Sequence, residues 1–88
     1  MTGTIPSELT KLTFLETLNL SDNMFYGTIP EFGRRRIVSL DFGNNLFTGV
    51  VPESICALEE QSLTFLRADC KEVKCDCCTD CAKEKKQL

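Results

Sequence analysis

The sequence has no histidine, no tryptophan and a single tyrosine in 88 residues. Without histidine it lacks the commonest general base and every histidine-assisted nucleophile. No glycine loop has phosphate-cradling spacing, and no serine sits in an elbow motif. Neighbouring carboxylates occur at Glu59 and Glu60 and at Asp41 and Asp69. Their expected places, an outer helix and an open strand face, offer no dry pocket. A non-catalytic chain that takes no cofactor is therefore expected. Excess positive charge is also missing. A net charge of -3 and a pI near 4.9 argue against nucleic acid or an anionic membrane as partner. No apolar run approaches the roughly 18 residues that span a bilayer, so no membrane span is expected in this chain. No basic stretch followed by an apolar one opens the sequence, so no signal peptide is expected in these residues.

Cysteine and internal repetition are what the chain has in quantity. Six cysteines in so short a chain point to covalent staples, which a domain of this size needs to offset its small core. Gly3-Thr4-Ile5-Pro6 recurs as Gly27-Thr28-Ile29-Pro30 and as Gly49-Val50-Val51-Pro52, at spacings of 24 and then 22 residues. Between these marks Leu15, Leu18, Leu20, Asn23, Phe25 and Gly27 align without a gap to Ile37, Leu40, Phe42, Asn45, Phe47 and Gly49. The second unit is shorter between Pro30 and Ile37. Its Arg34-Arg35-Arg36 run reads as a solvated outer face, with an anionic docking patch as the weaker alternative.

Each element of the repeat has a mechanical reason. In Leu18-Asn19-Leu20 and Leu40-Asp41-Phe42, alternation places apolar residues on one face of a short strand and a polar one on the other. Such strands stack in parallel, one per coil, and their inner sides fuse into a continuous core. Asn23 and Asn45 fall where the chain leaves the strand. Their amides can satisfy turn backbone and bond from coil to coil. Gly27 and Gly49 permit a conformation that side chains forbid, and Pro30 and Pro52 start the helical turn that follows. The pattern LxxLxLxxNxFxGxIP resembles the plant-specific class of leucine-rich repeats. The resemblance implies an α/β solenoid with short parallel strands on a concave face and 3-10 or short helices on the convex side. It also implies protein or peptide recognition.

After Pro52 the pattern fades. Glu53 to Gln61 reads as a short helix, and Leu63, Leu66 and Ala68 repeat the strand spacing. Lys71 stands where Asn23 and Asn45 stood, so the asparagine ladder is expected to end there. Cys56-Ala57-Leu58, Ala68-Asp69-Cys70 and Val73-Lys74-Cys75-Asp76-Cys77-Cys78 resemble the C-terminal cap of leucine-rich-repeat proteins of diatoms and related microalgae. Expected boundaries are 1–52 for two repeats (the first truncated), 53–82 for a degenerate third repeat with a cysteine-rich cap, and 83–88 for a charged disordered tail. Three disulfides among Cys56, Cys70, Cys75, Cys77, Cys78 and Cys81 suit an extracellular or cell-surface protein and would stabilise the cap by roughly 2–4 kcal/mol each. Bridges Cys77–Cys78 and Cys75–Cys77 would be strained, so the cluster is expected to reach back to Cys56 and Cys70. Zinc on Cys75, Cys77, Cys78 and Cys81, and a redox pair Cys78–Cys81, are the alternatives.

The expected binding face is the outward side of the strands: Glu16, Thr17, Asn19, Ser21 and Asp22, then Val38, Ser39, Asp41, Gly43 and Asn44, then Thr64, Phe65, Arg67 and Asp69. These give columns Asn19–Asp41–Arg67 and Thr17–Ser39–Phe65, with Phe65 beside Arg67 as the anchor. A protein or peptide ligand fits such a face, with a glycan as the variant. The competing readings are solvated strand positions in a structural cap of a longer repeat protein, and a thiol-rich zinc module. Asn19-Leu20-Ser21 is a glycosylation sequon. The first strand, around Leu18, is expected to leave an open edge and apolar flank, through which an isolated fragment would self-associate.

Overall fold

Leu18, Leu40 and Leu66 are the centre of the architecture. The computed structural model describes residues 2–11, 14–32, 36–60 and 62–82. The proposed tail 83–88, together with Arg34 and Arg35, lies outside them; Arg36 is exposed. Each of the three leucines is buried in a short strand: β2 (Thr17–Asn19), β4 (Ser39–Asp41) and β6 (Phe65–Ala68). The strands pair in parallel and in repeat register, Leu18 against Leu40 against Leu66. A fourth parallel strand, β8 (Asp80–Cys81), pairs with β6 through Arg67 and Asp80. It has no hydrophobic alternation, and the sequence gives no sign of it.

A second four-stranded parallel ladder corrects the expectation that strands line one face only. It consists of β1 (Thr2–Gly3), β3 (Met24–Thr28), β5 (Leu46–Val50) and β7 (Val73–Lys74), in that order. In β3 and β5 Phe25 and Phe47 point inward, while Met24, Tyr26, Leu46 and Val50 point out and are exposed. Because the outward residues are themselves apolar, the alternation that marks a strand is hidden in the sequence. The register also departs from the repeat. Tyr26 pairs with Leu46 and Gly27 with Phe47, two residues off the repeat alignment. A slip of two preserves which side chains face the core; a slip of one would have inverted them.

Gly3, Gly27 and Gly49 have φ of 109°, 88° and 89°, so the repeated glycine is required by backbone conformation. A Cβ at Gly49 would also come within 3.2 Å of Thr28 Cγ2. Pro52 is the N-cap of α1 (Glu53–Cys56), which tightens into a 3-10 segment at Ala57–Glu60, so the helix expected over 53–61 is of two kinds, with Gln61 outside the described residues. A further 3-10 segment spans Ser7–Lys11. Among the described residues no helix is long and apolar enough to cross a membrane.

The core lies between the two ladders. Phe25 and Phe47 stack with ring centroids 6.3 Å apart, and Phe42 meets Phe47 edge to face at 5.8 Å. Such aromatic pairs contribute about 0.5–1.5 kcal/mol beyond the area they bury. Phe32, Ile37, Ile55, Leu58 and Val73 are buried with them. The cysteines pair as Cys56–Cys77, Cys70–Cys81 and Cys75–Cys78. Two bridges reach back as expected, and the third closes within the cluster over three residues. Cys78 and Cys81 are therefore not a redox pair with each other, and the four sulfurs proposed for zinc are all spent in bridges.

Candidate binding face

The outward side of the β2–β4–β6–β8 ladder carries the side chains singled out in the sequence. Strand pairing sets Thr17, Ser39 and Phe65 side by side, and next to them Asn19, Asp41 and Arg67, in the expected columns. Glu16, Val38 and Thr64 form a preceding row, held by hydrogen bonds from Val38 N to Glu16 O at 2.7 Å and from Thr64 N to Val38 O at 2.8 Å. Glu16, Thr17, Asn19, Val38 and Thr64 are exposed, whereas Ser39 and Phe65 are half-buried. Phe65 is therefore a partly seated ring rather than a free anchor.

Asp41 differs most from its expected state. It is 8% exposed, and no open carboxylate lies on this face at that position. Its Oδ1 accepts from Gly43 N at 2.9 Å and its Oδ2 from Arg67 Nη1 at 3.3 Å. Arg67 is held from the other side by Asp80, with Nε 3.6 Å from Asp80 Oδ2. The face therefore carries a row of alternating charge, Asp41–Arg67–Asp80, across three strands. A half-buried arginine bonded to one acid with a second nearby is restrained in its rotamers, which lowers the entropy cost of a further contact. Gly43 belongs to the same arrangement. A Cβ there would fall 2.9 Å from Ala82 Cβ and 3.3 Å from Arg67 Nε, so the row closes over a position with no room for a side chain. Asp80 was not found by sequence reasoning, because a lone acid in a cysteine-rich segment carries no periodic signal.

Several predicted face residues serve the turns instead. Asp22 and Asn44 have φ of 60° and 56°, in left-handed turns beyond the strand ends. Ser21 is half-buried, and its backbone N and Oγ both donate to Asn19 Oδ1, at 3.0 and 2.6 Å. Asn45 bonds across coils, but to backbone rather than to the amide of Asn23. Its Nδ2 donates to Leu20 O at 2.8 Å, and its Oδ1 accepts from Phe25 N at 3.0 Å. Asn23 donates to Leu20 O and Ser21 O, both at 3.1 Å. Lys71 stands in the third position, where no asparagine continues the ladder. The Asp69 carboxylate braces the preceding turn in another way, accepting from Asn44 N at 2.8 Å and Asn45 N at 3.0 Å. Asp69, like Asp41, thus has its carboxylate taken up by hydrogen bonds within the protein.

Beside the face, the end of the molecule formed by β1 and β2 opens as an apolar recess of about 500 Å³ lined by Leu9, Leu18, Leu20 and Phe25, among others.

Comparison with known proteins places this geometry. The Leucine Rich Repeat family profile matches residues 14–34 and 36–58, together half of the chain. The leucine-rich repeat receptor-like serine/threonine-protein kinase SKM1 of Arabidopsis thaliana is 43% identical over 47 residues, covering 52% of this chain and 5% of that protein. The kinase-like protein TMKL1 of Arabidopsis thaliana is 45% identical over 50 residues, covering 54% of this chain and 7% of that protein. The chain thus spans a small part of the length of the curated relatives it matches. No solved structure matches it. Leucine-rich repeats generally mediate protein binding, and by the profile match and the strand-per-repeat ladder this chain belongs to the leucine-rich-repeat family.

Proposed function

We propose that this chain is a non-catalytic recognition module at the end of an extracellular leucine-rich-repeat solenoid of the plant type. It binds a protein or peptide through the outer face of the β2–β4–β6–β8 ladder. The observation that carries this reading is the row Asp41–Arg67–Asp80 lying beside the half-buried ring of Phe65 on a rigid sheet. Charged groups held in fixed positions next to an aromatic ring give a partner both register and affinity. The three bridges support a location outside the cytosol, where disulfides persist. The relatives' names speak of kinases, but their match lies within the repeats and lends this chain no kinase chemistry.

The test begins with peptides selected from a displayed library on the oxidised chain. Phe65→Ala and Arg67→Ala are expected to weaken the selected binders by about tenfold or more each, the loss of a hot-spot side chain. Binders indifferent to both changes would refute a recognition face here. That outcome would favour the second reading, a structural cap, which is supported by the concentration of all three bridges within residues 56–81. The apolar recess at the β1–β2 end supports a further property of the isolated chain, self-association through that end.

A further inference from the structure

We propose that Asn19 carries an N-linked oligosaccharide, which borders the recognition face on its β2 side and confines protein contact to the side of Asp41, Phe65 and Arg67. The inference rests on the extracellular reading, which supplies the compartment. Asn19-Leu20-Ser21 is the only Asn-x-Ser/Thr in the sequence; Asn23, Asn44 and Asn45 are followed at the second position by Phe25, Leu46 and Phe47. Those three asparagines also lie in turns and are half-buried, with the Asn45 amide bonded to Leu20, Phe42 and Gly43.

Asn19 is different in each respect. It is exposed on the outward side of a strand at the edge of the sheet. Its Oδ1 accepts from the Ser21 hydroxyl at 2.6 Å and from Ser21 N at 3.0 Å. Two donors on the carbonyl oxygen draw electron density from the amide and acidify its N–H. They also hold the side chain so that Nδ2 makes no hydrogen bond among the described residues. Across the ladder the next place in the same column is Asp41, which is buried and bonded, whereas Asn19 stands exposed at the column's β2 end. The donor is a lipid-pyrophosphate-linked oligosaccharide. Nδ2 forms a bond to the anomeric carbon while the bond from that carbon to the pyrophosphate oxygen breaks. The lipid pyrophosphate leaves with the electron pair, and the amide proton passes to a base of the transferase.

The full chain, expressed behind a cleavable secretory leader in a eukaryotic cell, is weighed intact before and after an enzyme that hydrolyses Asn-linked sugars. We expect one oligosaccharide on the secreted, fully bridged chain, lost on treatment and leaving an aspartate at position 19. Ser21→Ala, which leaves the asparagine in place, abolishes the added mass, and Ser21→Thr retains it. A secreted chain with all bridges formed but bare polypeptide mass overturns the glycan and leaves the extracellular reading intact. Failure of the bridges to form in the secretory route overturns both.

Discussion

At the scale of the residue, Asn45 shows how much one side chain holds together. Its Nδ2 shares two hydrogens among three carbonyls, those of Leu20, Phe42 and Gly43, and its oxygen accepts from Phe25 N of the coil before. Truncation would leave partly buried backbone groups without partners, at a cost of about 1–3 kcal/mol for a buried polar group left unsatisfied. Asn45→Ala is thus expected to lower stability by about 2–3 kcal/mol in denaturant titration. Asn45→Asp keeps the shape and one acceptor but removes the donors, and it sets a carboxylate against three carbonyl oxygens. It should destabilise at least as much. If Asn45→Asp were tolerated, the donors would not be the reason for asparagine at this position.

At the scale of the element, β8 is held to β6 by the Cys70–Cys81 bridge, by Ala82 N to Ala68 O at 2.8 Å and by Thr79 N to Leu66 O at 2.9 Å. Thr79 Oγ1 accepts from Leu66 N at 2.9 Å as well, so the edge of β6 is satisfied almost wholly by this segment. With two strand residues and no buried side chain of its own, β8 depends on the bridge. The double variant Cys70→Ser with Cys81→Ser is expected to lose roughly 2–4 kcal/mol. Hydrogen exchange at the Thr79 and Ala82 amides should quicken more than at Leu40, in the centre of the ladder. Equal exchange in variant and parent would show that β8 is held by other contacts.

The same elements show what could be read in the sequence. The Leu18–Leu40–Leu66 ladder was legible because polar residues flank Leu18 and Leu40 on both sides and Leu66 on one, and a period of two is visible only against that contrast. The β1–β3–β5–β7 ladder was not legible, since Met24, Tyr26 and Leu46 are as apolar as the buried Phe25 and Phe47 beside them. Within the candidate face, the columns followed from alternation, but the burial of Asp41 did not. It depends on Arg67, 26 positions away, and on Gly43 leaving space. The role of Asp69 was hidden for a related reason: it fills a turn function from a place two residues before the one the repeat assigns.

At the scale of the whole molecule, the two ends of the stack are unlike. One end carries the short strands β7 and β8 and the three cystines, while the other presents the edges of β1 and β2 around an apolar recess of about 500 Å³. Open strand edges with an apolar flank recruit further strands. Because, among the described residues, the apolar recess lies at one end, the other end offers head-to-tail growth no matching apolar surface. Two copies can meet through their open ends about a two-fold axis, which closes the assembly at a dimer rather than a filament. The isolated 88-residue chain is accordingly expected to sediment as a concentration-dependent dimer, with no larger species. Leu9 lines the recess and is only half-buried, so Leu9→Glu should shift the equilibrium to monomer without lowering the denaturation midpoint of the monomer itself. A parent chain that remains monomeric at high micromolar concentration and unfolds cooperatively would overturn this expectation. The coil would then be stable with its recess exposed to water, and the bridges and aromatic stack would suffice to hold the molecule.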